Sequence, residues 1–114
     1  MSLQFSQPGP SDRQELEHAE QARDLSRLRE AIVAVALGDS DRRWVDQKLL
    51  ALTFDQDGSV RAVAALGLGH VARVHGSIDR AAVIPRLNAL QADPVAAGNA
   101  ENALDDIAMF TQSE

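Results

Sequence analysis

The chain has 114 residues, which points to one small domain, and 45% of them are apolar against 25% charged, the balance of an ordinary globular protein. It has no cysteine, which excludes disulfides and thiolate metal sites, and aromatics make up only 4%, so alanine, leucine and valine must build the core. The net charge of -6 is uneven: residues 1–41 hold 4 basic and 8 acidic side chains, 42–86 hold 7 and 4, and 87–114 hold none and 5.

That acidic C-terminal segment argues against nucleic acid as a direct partner, because phosphates would be repelled. It fits a basic protein partner, and it also serves solubility. No apolar run approaches the roughly 18–20 residues that span a bilayer, so no membrane contact is expected. The N-terminus lacks the charged start and apolar block of a signal peptide, which makes the cytoplasm the expected location.

Residues 1–11 contain Pro8, Gly9 and Pro10 and show no helical period, so they are expected to form a flexible tail before a single domain over 12–114. From Asp12 to about Leu37 the pattern predicts helix, in one piece or two. Leu25, Leu28, Ile32 and Val35 make the apolar stripe, which thins upstream to Leu16, Ala19 and Ala22. Gly38 is a natural stop. Asp39 to Asp41 offers an N-cap, with Ser40 the expected capping residue. The next helix turns Val45, Leu49 and Leu52 inward and carries Trp44 near its start. Asp55 to Gly58 is a turn.

A third helix runs from about Asp57 or Ser59 to His75, with Val60, Ala64, Gly67 or Leu68, Val71 and Val74 or His75 inward and Gly76 at its end. A fourth covers about Asp79 to Gln91 with Val83, Leu87 and Leu90 inward. Pro85 donates no N–H, so a kink or a later start is expected there. After the break at Ala92 to Pro94, a fifth helix runs to about Phe110, with Ala96, Ala100, Ala103, Leu104 and Ile107 inward. Nothing alternates with period two, and connections of two to six residues make neighbouring helices antiparallel. The chain is therefore all-α.

The third and fifth helices repeat at an offset of 36 residues: Asp57 meets Asp93, Val60 meets Ala96, Ala64 meets Ala100, Gly67 meets Ala103, Leu68 meets Leu104 and Val71 meets Ile107. Two hairpins related this way, over about 41–76 and 77–110, are the mark of an α-solenoid. The segment Asp57 to Leu68 resembles the second helix of a HEAT repeat, carried by Asp57, Val60, Arg61, Ala64, Gly67 and Leu68. Asp93, Pro94, Ala100, Ala103, Leu104 and Ile107 match in the next unit, where Ala96 and Ala97 replace the usual Val and Arg. The resemblance implies a short right-handed HEAT-like solenoid of about five helices, or six if the first segment breaks, with that first segment capping one end.

Taken together, Trp44–Leu52, Leu68–Gly76, Val83–Leu87 and Ala100–Phe110 resemble a group of small bacterial HEAT-like proteins. Some of that group are immunity proteins of polymorphic or contact-dependent growth inhibition toxins. What the resemblance implies is a non-enzymatic protein-binding module that neutralises a cognate toxin. It transfers no catalytic or toxin-binding residue.

The stretch GLGHVARVHG, Gly67 to Gly76, holds His70, Arg73 and His75 among three glycines. Advancing His70 by the repeat lands on Asp106. Stacked second helices lie roughly 8–10 Å apart, so His70 and Arg73 are expected to face Asp105 and Asp106 in a polar ladder, with Glu101 nearby. Such pairs fix the register between repeats, each worth roughly 0–1 kcal/mol when exposed, or they form the partner-binding face. The partner-binding candidates are Glu101, Asp105, Asp106, Trp44 and Arg42. Trp44 fits either a buried hairpin junction or an exposed interface anchor.

His70 and His75 are five apart, about 140° around a helix, and the chain has no adjacent His-Glu pair, so no metal or cofactor is expected. With no phosphate-binding loop and no serine elbow, no catalytic residue is assigned. Two other readings stand beside the binding module. One is a small HEAT-like enzyme or accessory lyase with His70 as acid/base; the other is a structural subunit of a larger assembly. A homodimer would cover the free side of the last helix. Gly67 is read as the contact where repeats stack, whereas Gly69 weakens a helix by roughly 1 kcal/mol with no evident return.

Overall fold

The computed structural model describes residues 10–111, and six helices account for most of them. Its first departure from the sequence pattern comes at Arg23. There the backbone turns left-handed, with φ 53°, at a residue that is not glycine. The Arg23 amide donates to the Glu20 carbonyl at 3.2 Å and the Asp24 amide to Ala19 at 3.0 Å, which closes a Schellman-type helix end. Asp24 then caps the next helix through the Arg27 amide. The result is two helices, α1 (Pro10–Ala22) and α2 (Leu25–Gly38). Left-handed backbone at an arginine costs on the order of 1–3 kcal/mol. At the surface its guanidinium grips Asp55 with two bonds of 2.9 and 3.0 Å.

Pro10 and Ser11 open α1, where proline's fixed φ suits a first turn. They are therefore not part of a tail; residues 1–9 of that expected tail lie outside the described residues, as do 112–114 at the end of the expected domain. Helix α3 (Arg42–Leu52) is capped by Asp41, which accepts from the Trp44 amide at 3.2 Å, and not by Ser40. Helix α4 (Gly58–His75) is capped by Asp57 and ends at Gly76, whose φ of 68° needs glycine. Helix α5 (Arg80–Leu90) begins at the Asp79 cap and carries Pro85 inside it, so it does not start late. Helix α6 (Ala97–Phe110) has no side-chain bond at its cap position; Asp93 instead takes the amides of Val95 and Ala96.

These helices form three hairpins, not two and a cap. Helix α1 packs on α2, α3 on α4, and α5 on α6, while α2, α4 and α6 stack side by side with α4 in the middle. The first helices make one layer and the second helices another, in a slab of 48 × 32 × 17 Å. The 36-residue period extends back into the first hairpin. Leu28, Ala64 and Ala100 are equivalent and buried, as are Ala31, Gly67 and Ala103, and Val35, Val71 and Ile107. In the set Ile32, Leu68 and Leu104, only Leu104 is half-exposed.

The two glycines of α4 serve different neighbours. A methyl group on Gly67 would meet the tip of Leu49 at 2.8 Å and Ile32 at 3.4 Å, so Gly67 lets α4 close on α2 and α3. A methyl group on Gly69 would meet Asp106 Oδ2 at 2.8 Å and the Ala103 Cα at 3.0 Å. Gly69, which had no evident role in the sequence, is therefore the point where α4 and α6 touch backbone to backbone. Polar ties then link the repeats. Arg61 bonds Asp93 at 2.7 Å, Asn99 bonds the Ala62 carbonyl at 2.9 Å, and Arg86 bonds the Thr53 carbonyl at 2.8 Å.

The two glycines should respond differently to alanine, although each substitution gains roughly 1 kcal/mol of helix propensity. At position 67 the obstacle is a mobile leucine tip, so Gly67→Ala should be neutral or slightly stabilising. At position 69 it is backbone, where overpacking costs about 1–3 kcal/mol, so Gly69→Ala should lower the urea midpoint. Equal midpoints for the two variants would remove this account of the α4–α6 contact.

Candidate protein-binding surface

The outward side of α4 and the free sides of α6 carry most of the residues singled out in the sequence. On α4, Leu66, His70 and His75 are half-buried and Arg73 is exposed; Val74, which the apolar stripe placed inward, is exposed too, because it lies in the last turn beyond the buried run that ends at Ala72. On α6, Glu101, Asn102 and Asp105 are exposed and Asp106 is half-buried. The expected ladder forms in part. Arg73 lies 3.8 Å from Asp106 and its guanidinium donates to His70 Nδ1. Burial, then the Arg73 charge, pull His70 below its usual pKa, while Asp106 opposes them. A ring that accepts from arginine and resists protonation is a neutral contact in a seam, and it lines neither of the clefts described below.

Asp105 does not join that ladder. It and Glu101 are exposed and form no ion pair among the described residues. Asp106, one step around the helix, is the carboxylate that faces Gly69. The five partner-binding candidates are thus divided. Glu101, Asp105 and Asp106 lie in the second-helix layer, whereas Trp44 and Arg42 lie on α3, in the first-helix layer.

On the first-helix side the grooves are shallow and polar. Between α1 and α3 a cleft of about 280 Å³ is lined by Glu17, Trp44, Gln47, Lys48 and Ala51. Trp44 is half-buried beneath the Arg13 guanidinium, 4.4 Å from the ring centre. Arg13 also clamps the buried Asp39 with bonds of 2.6 and 2.8 Å, and that clamp holds Asp39 below the usual carboxylate range. Lys48 reaches Glu20 at 2.7 Å. A second cleft of about 400 Å³ is lined by Arg42, Arg43, Asp46, Gln47 and Asp79.

The sequence reading missed Asp46. Its carboxylate is 2% exposed, accepts from the Asp79 amide at 3.0 Å, and has Arg42 at 3.6 Å, but its Oδ1 has no partner. The available signal was an acidic residue beside Val45 and three before Leu49, on the inward arc of an amphipathic helix. Desolvation pushes its pKa up, although the Asp79 amide and Arg42 pull the other way.

The charge segments of the sequence also change meaning. Among the described residues every arginine and the lysine except Arg43 is tied within the fold. Arg13, Arg23, Arg27, Arg42, Lys48, Arg61 and Arg73 sit in ion pairs, while Arg29, Arg80 and Arg86 bond hydroxyls. The middle segment is therefore not a free basic surface. The unpaired charges that face outward are chiefly carboxylates. No helix among the described residues is long and apolar enough to cross a membrane.

Fold and surface together define an all-α repeat protein of stacked hairpins. No protein-family model matches the chain, and no curated protein matches it. Among solved structures, one chain of the crystal structure of a CDI complex from Cupriavidus taiwanensis LMG 19424 is similar over its whole length. The TM-score is 0.79 at 26% identity, and the match covers 96% of this chain and 96% of that one.

Because the folded-state pKa of Asp46 lies above the ordinary aspartate value of about 3.9, ionised Asp46 opposes folding at neutral pH. That penalty grows as pH rises above the unfolded value and is absent below it. Asp46→Asn should therefore raise stability at pH 7 and lose its advantage near pH 3.5 (urea melts at both values). A variant less stable than wild type at pH 7 would show that the Asp79 amide and Arg42 depend on the charge.

Proposed function

We propose that this chain is an immunity protein that binds and neutralises the toxin of a contact-dependent inhibition system. One observation carries the reading: the end-to-end similarity to a chain of a CDI complex, with nearly the same length of both chains aligned. The fold suits this role. Its residues with unspent charge lie on the surface, and the polar groups inside it are mostly engaged with one another. On this reading the protein acts by occlusion, without chemistry of its own, and in the cytoplasm, where a delivered toxin would act. The HEAT-like relationship is proposed with it, on the three-fold 36-residue period and the Asp-capped second helices.

The partner on this reading is a basic toxin domain. Glu101, Asp105 and Asp106 supply the complementary charge, and acidic surfaces steer a basic partner into contact. Trp44 and Arg42 belong to the first-helix layer, at the start of α3.

Co-expression of this chain with its cognate toxin domain should restore growth, and the two purified proteins should form a 1:1 complex. His70→Gln should protect as well as wild type, since no proton transfer is needed. Glu101→Lys with Asp105→Lys should weaken binding at least tenfold in low salt and flatten its salt dependence. Loss of protection by His70→Gln with binding intact would favour chemistry over occlusion.

A further inference from the structure

Six large apolar side chains are exposed among the described residues: Leu37, Phe54, Val74, Val95, Met109 and Phe110. Two have local explanations. Phe54 stacks beneath Arg86, whose guanidinium is 3.7 Å from its ring centre, and Val95 packs where Gly58 leaves room for it. The other four have no such explanation. Leu37, Val74, Met109 and Phe110 sit in the last turns of α2, α4 and α6, the three helices that stack side by side.

The three helices run in the same direction. Asn99 on α6 reaches Ala62 on α4, Gly69 meets Ala103, and Gly76 lies against Phe110, so their ends are level. With helices about 8–10 Å apart, the four side chains form a band about 20 Å long across one edge of the layer. Leu37 is 49% exposed, Val74 50% and Met109 70%. Residues that hold a core together are not left this open, and one such position in each repeat marks a surface kept apolar for contact.

The charges around the band say what it fits. His70 is held neutral, and Arg73 is spent on Asp106 and on that ring. Glu30 on α2, two turns before Leu37, and Asp105 on α6, one turn before Met109, are exposed with no ion pair among the described residues. An apolar strip with unpaired carboxylates on both of its outer helices fits a partner that carries apolar residues beside basic ones.

We propose that the toxin domain docks on this outward face of α2, α4 and α6, with Leu37, Val74 and Met109 as its apolar anchor. The proposal rests on the immunity reading and narrows it to one layer, which leaves Trp44 and Arg42 outside the contact. It also explains why the second helices leave apolar side chains open at the same end of each repeat.

The test measures binding of the purified cognate toxin domain to the full chain by calorimetry, with Leu37→Arg, Met109→Arg and Trp44→Ala as variants. Both arginine variants lie at exposed positions, and thermal melts would confirm that they fold. They should bind at least about 30-fold more weakly, the loss typical of an interface anchor, while Trp44→Ala binds within threefold of wild type. Wild-type binding that survives both arginine substitutions but fails in Trp44→Ala would overturn the proposal while keeping the immunity reading. No wild-type binding at all would remove that reading and this one together. A wild-type dimer in sedimentation that Met109→Arg dissolves would assign the band to a second copy and overturn the toxin as its occupant.

Discussion

How closely α4 approaches its neighbours sets the rest of the structure. It packs most extensively of the six, on α2, α3 and α6, and its buried residues are Val60, Ala62, Ala64, Ala65, Gly67, Leu68, Gly69, Val71 and Ala72. Six of those nine are alanine or glycine. A helix this poor in bulk buries little area per side chain, and it gains stability by letting backbones come near enough for many small contacts. Gly67 opens the way to α2 and α3, and Gly69 opens the way to α6. Larger residues at both positions would spread the second-helix layer, and the ties between repeats would lose their reach.

Those ties account for the chain's basic residues. Arg23 bridges the first repeat to Asp55 in the second, and Arg61 bridges the second to Asp93 in the third. Each guanidinium sits near the end of one hairpin and reaches the turn of the next, so the pairs act as a register between units whose apolar contacts are small and nondirectional. Individually such partly exposed pairs contribute little. Their larger consequence is for the outer surface, since pairing removes positive charge from solvent and leaves carboxylates such as Glu30, Glu101 and Asp105 to set the field around the molecule.

Much of this was legible in the sequence. The stripe of Val60, Ala64, Leu68 and Val71 gave α4, and its echo in α6 gave the stacking. The first hairpin was hidden for a specific reason. Its turn is made by Arg23 and Asp24, without glycine or proline, and takes left-handed backbone at an arginine. Local pattern looks for such a helix end at glycine, which adopts that backbone without a steric cost. Gly69 was opaque for a different reason, since its value lies in the backbone of Ala103. The cap of α3 fell to Asp41 and not Ser40, while Asp39 was committed to Arg13. At the surface, the repeat placed His70 and Arg73 beside Asp106, but it could not tell which of two adjacent aspartates would turn inward.

The layout separates what holds the protein together from what it offers to others. The inward arcs of α2, α4 and α6 carry the core and the glycine contacts, and the turns carry the arginine ties. The outward arcs carry Leu37, Val74 and Met109, and the open side of α6 carries Asp105; none of these supports a neighbour. Substitution there costs the fold little, since exposed positions away from core, caps and strained backbone usually shift stability by under about 0.5 kcal/mol. Discrimination between partners rests on placing both attractive and repulsive groups, and a surface that can change without unfolding the chain leaves room for both. A stack of hairpins meets that need because each second helix presents one free face while its other faces are fixed by alanine, glycine and leucine.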